Sequence, residues 1–253
     1  MRNRSIDIIL YKVYADIKAE AARSYLGLIW WVLDPALYMS VFYIIFTFVF
    51  HRGGAGFVPF LLCGLVAWKW FGSAVMQGTN AIAGNAGLMQ QVYIPKYIFP
   101  SIIVLTNTIK FLPVFLILLC LLIGVFHGPY LSWVSLPVLL MVQMLLITSI
   151  VWLLASITPF FPDLRLVVSN FLTMLFFMSG IFYDISKLSQ NIQVYFNLNP
   201  MAVLINQYHA VLLLGTWPDW MALGGVMLVS VAMLAVAYYV LCKYDRTYPK
   251  VLI

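Results

Sequence analysis

Six apolar runs, each close to the length of a bilayer crossing, constrain this chain more than any other feature. They cover residues 28–50, 57–77, 98–126, 131–157, 166–183 and 217–242. A helix needs about 20 mostly apolar residues to cross a hydrocarbon layer roughly 30 Å thick. A transmembrane β-barrel would instead alternate apolar and polar positions in segments of about ten, and these runs are continuous. Only 9% of the 253 residues are charged, and mean hydropathy is +1.00. A soluble domain carries about a quarter charged residues, so this chain lacks the polar shell that water requires. The expected fold class is an all-α membrane protein with six transmembrane helices. Residues 1–253 read as a single membrane domain with no water-soluble part.

The segments between the runs carry turn chemistry, as in His51-Arg52-Gly53-Gly54, His127-Gly128-Pro129 and Pro159 to Asp163. No internal repeat is visible, so an inverted-repeat carrier finds no support. Basic residues set the orientation. With the N-terminus in the cytoplasm, ten of the 14 fall inside: Arg2, Arg4, Lys12, Lys18, Arg23, Lys96, Arg165, Lys243, Arg246 and Lys250. Only Arg52 and Lys187 fall outside, while Lys69 and Lys110 lie within spans. Both termini are then cytoplasmic. The same bias demotes 200–214, an apolar stretch too short to span, because a seventh crossing would move the basic tail outside. Residues 185–214 are therefore expected to form two short re-entrant helices broken at Asn197–Pro200, on the outer side.

Residues 1–24 form a different element. Ile6, Ile9, Leu10, Val13 and Ile17 recur at helical spacing, with Lys12, Asp16, Lys18 and Glu20 on other faces. That predicts an amphipathic helix lying in the cytoplasmic interface, or else packing on a partner. The mixed charges and missing apolar core of this segment argue against a cleaved signal peptide.

Absent chemistry narrows the function. All eight carboxylates (Asp7, Asp16, Glu20, Asp34, Asp163, Asp184, Asp219 and Asp245) lie at or beyond a span end. An ion-coupled carrier places an ionisable residue mid-membrane, and a membrane hydrolase or glycosyltransferase needs carboxylates or histidines at its site. The scattered His51, His127 and His209 form no such group, nor any metal site. No GxxxxGK[ST] phosphate loop occurs, so energy for uphill movement would come from a partner. Cys63, Cys120 and Cys242 sit in apolar runs without CxxC spacing and read as small core residues.

Two features suit a polar cargo. Lys69 and Lys110 are either buried cations along a pathway for an anionic lipid head group, or stems that snorkel to an interface. Tyr38, Phe42 and Phe46 fall four apart on one face of the first span, while Phe176, Phe177, Phe182 and Tyr183 cluster near the outer end of the fifth. Rings can bind sugar faces, although aromatics also mark ordinary membrane interfaces.

The stretch Arg23-Ser24-Tyr25-Leu26-Gly27-Leu28-Ile29-Trp30-Trp31-Val32-Leu33-Asp34-Pro35 resembles the start of the first span in ABC-2 type exporter permeases. It keeps the Tyr, Leu-Gly, Trp and Pro of that pattern. Asn85-Ala86-Gly87-Leu88-Met89-Gln90-Gln91-Val92-Tyr93-Ile94-Pro95 looks like the family's cytoplasmic loop helix. Phe161-Pro162-Asp163-Leu164-Arg165, then Met178-Ser179-Gly180-Ile181-Phe182-Tyr183, then Leu198-Asn199-Pro200 follow the order of its later motifs, with Gly180 where Pro is usual.

Length and layout are most similar to permeases that export lipid-linked polysaccharide. The resemblance implies a homodimer, in the bacterial inner membrane, above two separate ATP-binding-cassette subunits that hold ATP and Mg. This chain itself would need no cofactor, perform no catalysis and bind no nucleic acid. The cargo implied is an undecaprenyl diphosphate-linked glycan, O-antigen first, with capsule, teichoic acid or a smaller lipid or drug as alternatives. The roles implied are a conduit at Tyr38, Phe42, Phe46, Phe176, Phe177 and Tyr183, and a head-group entrance at Arg23, Tyr25, Lys69 and Lys110. ATPase docking would fall to Asn85, Leu88, Met89, Gln90, Tyr93 and Pro95, with an outer gate at 185–214. A membrane-embedded enzyme or bare scaffold is the third reading; the missing carboxylates count against the first and the loop helix against the second.

Overall fold

The computed structural model describes residues 2–22, 27–45, 48, 56–125, 129–187 and 189–251. The helices, in order, are α1 (Arg2–Ala22), α2 (Trp30–Ile44), α3 (Phe57–Gly78), α4 (Ala86–Gln91), α5 (Ile98–Val125), α6 (Leu136–Ile157), α7 (Leu164–Phe177), α8 (Gln190–Asn197), α9 (Pro200–His209), α10 (Trp220–Lys243) and α11 (Tyr248–Val251). No strand occurs among the described residues. Four helical stretches are long and apolar enough to cross a membrane: Phe57–Gly78, Ile98–Gly124, Leu131–Ile157 and Trp220–Lys243. The last two have local start signals. Pro137 opens α6, and the Asp219 carboxylate caps α10 by accepting from the backbone N–H of Met221 at 2.9 Å and Ala222 at 3.1 Å.

One expected span is described in part and another differs. α2 accounts for residues 30–44, and residues 46, 47, 49 and 50 of the expected 28–50 lie outside the described residues. α7 has 14 residues, about 21 Å at 1.5 Å per residue, and ends at Phe177 rather than running to 183. The chain reverses at Met178–Gly180, where Gly180 takes a φ of 70° that a side chain would resist. Ile185 fills the space beside it, 2.6 Å from where a Cβ would stand.

α3 sits at the centre. Its apolar window is 72% buried inside the molecule, against 22% for α10. α5, α6 and α9 surround it in one continuous core that includes Leu61, Val66, Phe71, Phe111, Leu146, Val151, Leu204 and Tyr208. Gly78 permits the closest approach: a Cβ there would fall 2.7 Å from Val151 on α6. α10 packs along α6 at the periphery.

The expected break at Asn197–Pro200 is where α8 gives way to α9. Asn199 caps α9 through Met201 N–H at 3.0 Å, and its amide donates to Ser179 Oγ at 3.1 Å. That bond joins two motifs which the sequence separates by 20 residues.

α1 divides the five residues of its expected apolar face. Ile9, Val13 and Ile17 pack on Ile98, Ile102, Leu105 and Ile109 of α5, but Ile6 is 50% and Leu10 54% exposed. The helix turns three of those five residues to the protein. Cys63 is buried as expected; Cys120 and Cys242 are exposed, on outward faces of α5 and α10. His209 is buried, stacked on Phe60 at 3.8 Å.

A cleft along the polar stripe of helix α3

A stripe of side chains on α3 divides two adjoining clefts. Val66, Lys69, Ser73 and Gln77 recur three to four residues apart, which places them on one helix face. The larger cleft, about 620 Å³, opens between this stripe and α7, where Ser169 and Thr173 face it one turn apart and Phe176 and Phe177 stand beside them. Trp68 forms part of the wall, 5.7 Å from the Phe176 ring. Hydroxyls, an amide, an ammonium and ring faces thus line one concavity.

The smaller cleft, about 280 Å³, lies on the other side of the stripe. Trp30, Trp31, Trp70, Asn107 and Lys110 line it, together with Glu20 from the end of α1. The Lys110 ammonium pairs with the Glu20 carboxylate and stands 5.8 Å from the Trp31 ring centroid. Trp31 Nε1 donates to the same carboxylate at 3.3 Å. An ammonium one-sixth exposed on an apolar helix is costly without a counter-charge, and Glu20 supplies it. Deeper in, Asn107 donates to Gln77 Oε1 at 3.1 Å and to the Ile103 carbonyl at 2.9 Å. Lys69 lines both clefts. Glu20 and Lys110 are the other charged side chains among the described lining residues.

The expected conduit residues separate. Phe176 and Phe177 reach the larger cleft, with ring centroids 5.2 Å apart. Tyr183 does not: its hydroxyl donates to the Phe177 carbonyl at 2.7 Å and its ring meets Phe196 of α8. Tyr38 and Phe42 fall on α2, with side chains outside the described residues; Phe46, Arg23 and Tyr25 lie outside them entirely. Lys69 and Lys110, 41 positions apart in sequence, are brought to a common cleft.

Residues 13–213 match the family model for the ABC-2 type transporter. The chain belongs to the ABC-2 type transporter family. It is 32% identical over 231 residues to the O-antigen export system permease protein RfbA of Myxococcus xanthus, a match covering 90% of this chain and 88% of that one. A Klebsiella pneumoniae protein of the same name is 25% identical over 211 residues, 83% of this chain and 82% of the relative. The polysialic acid transport protein KpsM of Escherichia coli is 26% identical over 199 residues, 75% of each.

This ABC-2 type transporter is an integral membrane protein, and its curated relatives are transport permeases. Its expected docking stretch, residues 85–95, folds as α4 followed by extended Val92 and non-helical residues into Pro95. Leu88, Gln90 and Tyr93 are exposed. Met89 is buried against Ile82, Phe99 and Tyr248, so it holds the helix in place and presents no surface to a partner. Asn85 is half-buried and donates to the Ala81 carbonyl at 2.8 Å. Pro95 is half-buried.

Sequence reading passed over Ser73, Gln77, Ser169 and Thr173, although their helical spacing was visible. It also passed over Glu20 as a partner of Lys110, which no spacing reveals. A third omission is the buried pair Gln143 and Tyr208. Gln143 donates to the Ala67 carbonyl at 2.8 Å and accepts from the Tyr208 hydroxyl at 2.7 Å, bolting α9 and α6 to α3.

Proposed function

We propose that this chain is the path-forming subunit of an ATP-driven exporter that moves lipid-linked polysaccharide, O-antigen first, from the cytoplasmic to the periplasmic face of the bacterial inner membrane. The observation that carries this reading is the 32% identity to an O-antigen export permease along nine-tenths of the chain. In the same reading two copies assemble, each crossing six times with both termini cytoplasmic. α1 lies along the interface, and residues 185–214 form the outer gate. Two ATP-binding-cassette subunits, holding ATP and Mg, dock against α4 through Leu88, Gln90 and Tyr93.

The clefts suit an amphiphile with a phosphate head and a sugar chain. A diphosphate arriving from an undecaprenyl carrier would meet Lys69 and Lys110, with Arg23 and Tyr25 near the same entrance. Lys110 already holds Glu20, so the phosphate competes with a carboxylate for that ammonium. Sugar rings then have Phe176 and Phe177 as stacking faces and Ser73, Ser169 and Thr173 as hydroxyl partners. Hydroxyl and ring contacts of this kind fix no single sugar sequence, as a repeating polymer requires if it is to slide. The Tyr38, Phe42 and Phe46 face of α2 would extend the same path.

The similarity to KpsM favours a second reading, export of a capsular polymer, and one experiment separates them. Deleting the gene and analysing undecaprenyl-linked polymer should show O-antigen accumulating on the cytoplasmic side. Capsular polymer accumulating instead selects the second reading, and no accumulation of either rejects both. Leu88→Glu should abolish co-purification of the ATPase; a stoichiometric complex in that variant removes the docking assignment. A Tyr38, Phe42 and Phe46 triple alanine variant should assemble and hydrolyse ATP without exporting polymer, and unimpaired export would remove those three from the path.

A further inference from the structure

The loop that carries α4 is tied to the far end of the chain by one carboxylate. Between α4 and α5, residues 92–95 leave the helical geometry, and Tyr93 is 71% exposed. Asp245, in the turn after α10, reaches back to this segment. Its Oδ2 accepts from the Tyr93 hydroxyl at 2.7 Å, and its Oδ1 accepts from the Lys96 backbone N–H at 3.1 Å. Lys96 itself is 2% exposed, and its ammonium donates to the Ile94 carbonyl at 2.9 Å while standing 5.0 Å from the Tyr93 ring. Burial pushes the Lys96 ammonium below its ordinary range and the Asp245 charge acts against that; the hydrogen bond to Asp245 raises the Tyr93 phenol.

Three residues further on, Tyr248 completes the attachment. It is fully buried, donates to the Ser156 carbonyl at 3.1 Å and packs on Phe160 at 5.4 Å. Met89 of α4, Ala155 of α6 and Leu241 of α10 join it in one apolar cluster. α4 is thereby clamped between the ends of α3, α6 and α10. Covalent continuity alone would deliver a push on α4 into α3 and α5. The Asp245 bonds and the Tyr248 cluster add a second route, into α10 and α6.

We infer that Asp245 is a positioning residue for transport, tying the loop of α4 to α10 so that displacement of α4 moves α10 and α6 together with α3. The inference rests on the docking assignment proposed above. Its carboxylate also holds Tyr93, one of the docking residues, so co-purification of the ATPase is measured for every variant and separates transmission from attachment.

The test uses the complete complex with its ATPase subunits in proteoliposomes and reads polymer exported per ATP hydrolysed. Asp245→Ala should lower that ratio about tenfold, the scale of a typical coupling between distant sites. Tyr93→Phe, which deletes one hydroxyl from an exposed ring, should lower it less and keeps the question answerable if Asp245→Ala folds poorly. The double variant should fall no further than Asp245→Ala alone, because both changes break the same bond. A drop in melting temperature with the ratio unchanged in both single variants overturns the inference and leaves Asp245 as a fold contact. A wild-type chain that binds no ATPase overturns the docking assignment and this inference with it, whereas a coupled wild type with indifferent variants overturns only this inference.

Discussion

α3 and α7 face each other across the larger cleft and are held in opposite ways. Away from its cleft-facing stripe α3 is firmly packed: Gly78 meets Val151, Gln143 holds the Ala67 carbonyl, and its neighbours belong to the main core. α7 buries only Val168 among its 14 residues, and its outer face exposes Leu166, Val167, Phe171 and Met174. One wall is fixed and the other is lightly attached. If polymer passes at this cleft, as proposed, the cleft widens most cheaply where fewest contacts break, which is along α7. The same outer face is the surface left for lipid or a second copy.

The sharpest break of this comparison comes from equal insults to the two helices. Gly78→Leu forces a side chain into Val151 and should destabilise the protein by about 1–3 kcal/mol or prevent its accumulation. Val167→Leu on the open face of α7 should leave the melting temperature unchanged; comparable losses in both would show that the walls are held alike. Thr173→Trp comes next. It fills the cleft from the lightly held side, so export should fall below detection while melting temperature and ATPase assembly persist.

Smaller effects sharpen the charge of the site. Lys69→Gln removes the cation shared by both clefts and should raise the half-saturating concentration of lipid-linked substrate about tenfold, the order expected for losing one hydrogen-bonded charge contact. Glu20→Gln should act oppositely and more weakly. It frees Lys110 from its competitor, so ATPase stimulation should saturate at a substrate concentration a few-fold lower, on the scale of a modest surface ion pair. A rise in that concentration would show that Glu20 helps to bind cargo and does not compete with it.

The sequence made the architecture readable because the solvent is lipid. A run such as 98–126 must hydrogen-bond its own backbone, so length and hydropathy alone define α5. The short elements were readable only where local chemistry marks them, as at Asn199-Pro200 before α9. The early end of α7 was not, because residues 178–183 are as apolar as a span and only Gly180, at a φ of 70°, marks the reversal. Within the site, Lys69 stood out as a charge in an apolar run, yet its companions Ser73 and Gln77 are common residues whose meaning appears only when α7 is placed opposite. Glu20 and Asp245 were seen as carboxylates outside the spans. That they reach Lys110 and Tyr93, 90 and 152 positions away, depends on packing that no local pattern encodes.

The central claim is that polymer passes between α3 and α7, and cross-linking the two walls tests it most directly. Cys63, Cys120 and Cys242 are first replaced by alanine, and Ser73→Cys is then combined with Thr173→Cys. A short bifunctional thiol reagent should stop polymer export while the complex stays assembled and continues to hydrolyse ATP, and the same variant without reagent should export. Export at the uncross-linked rate through a fully cross-linked protein would contradict the account.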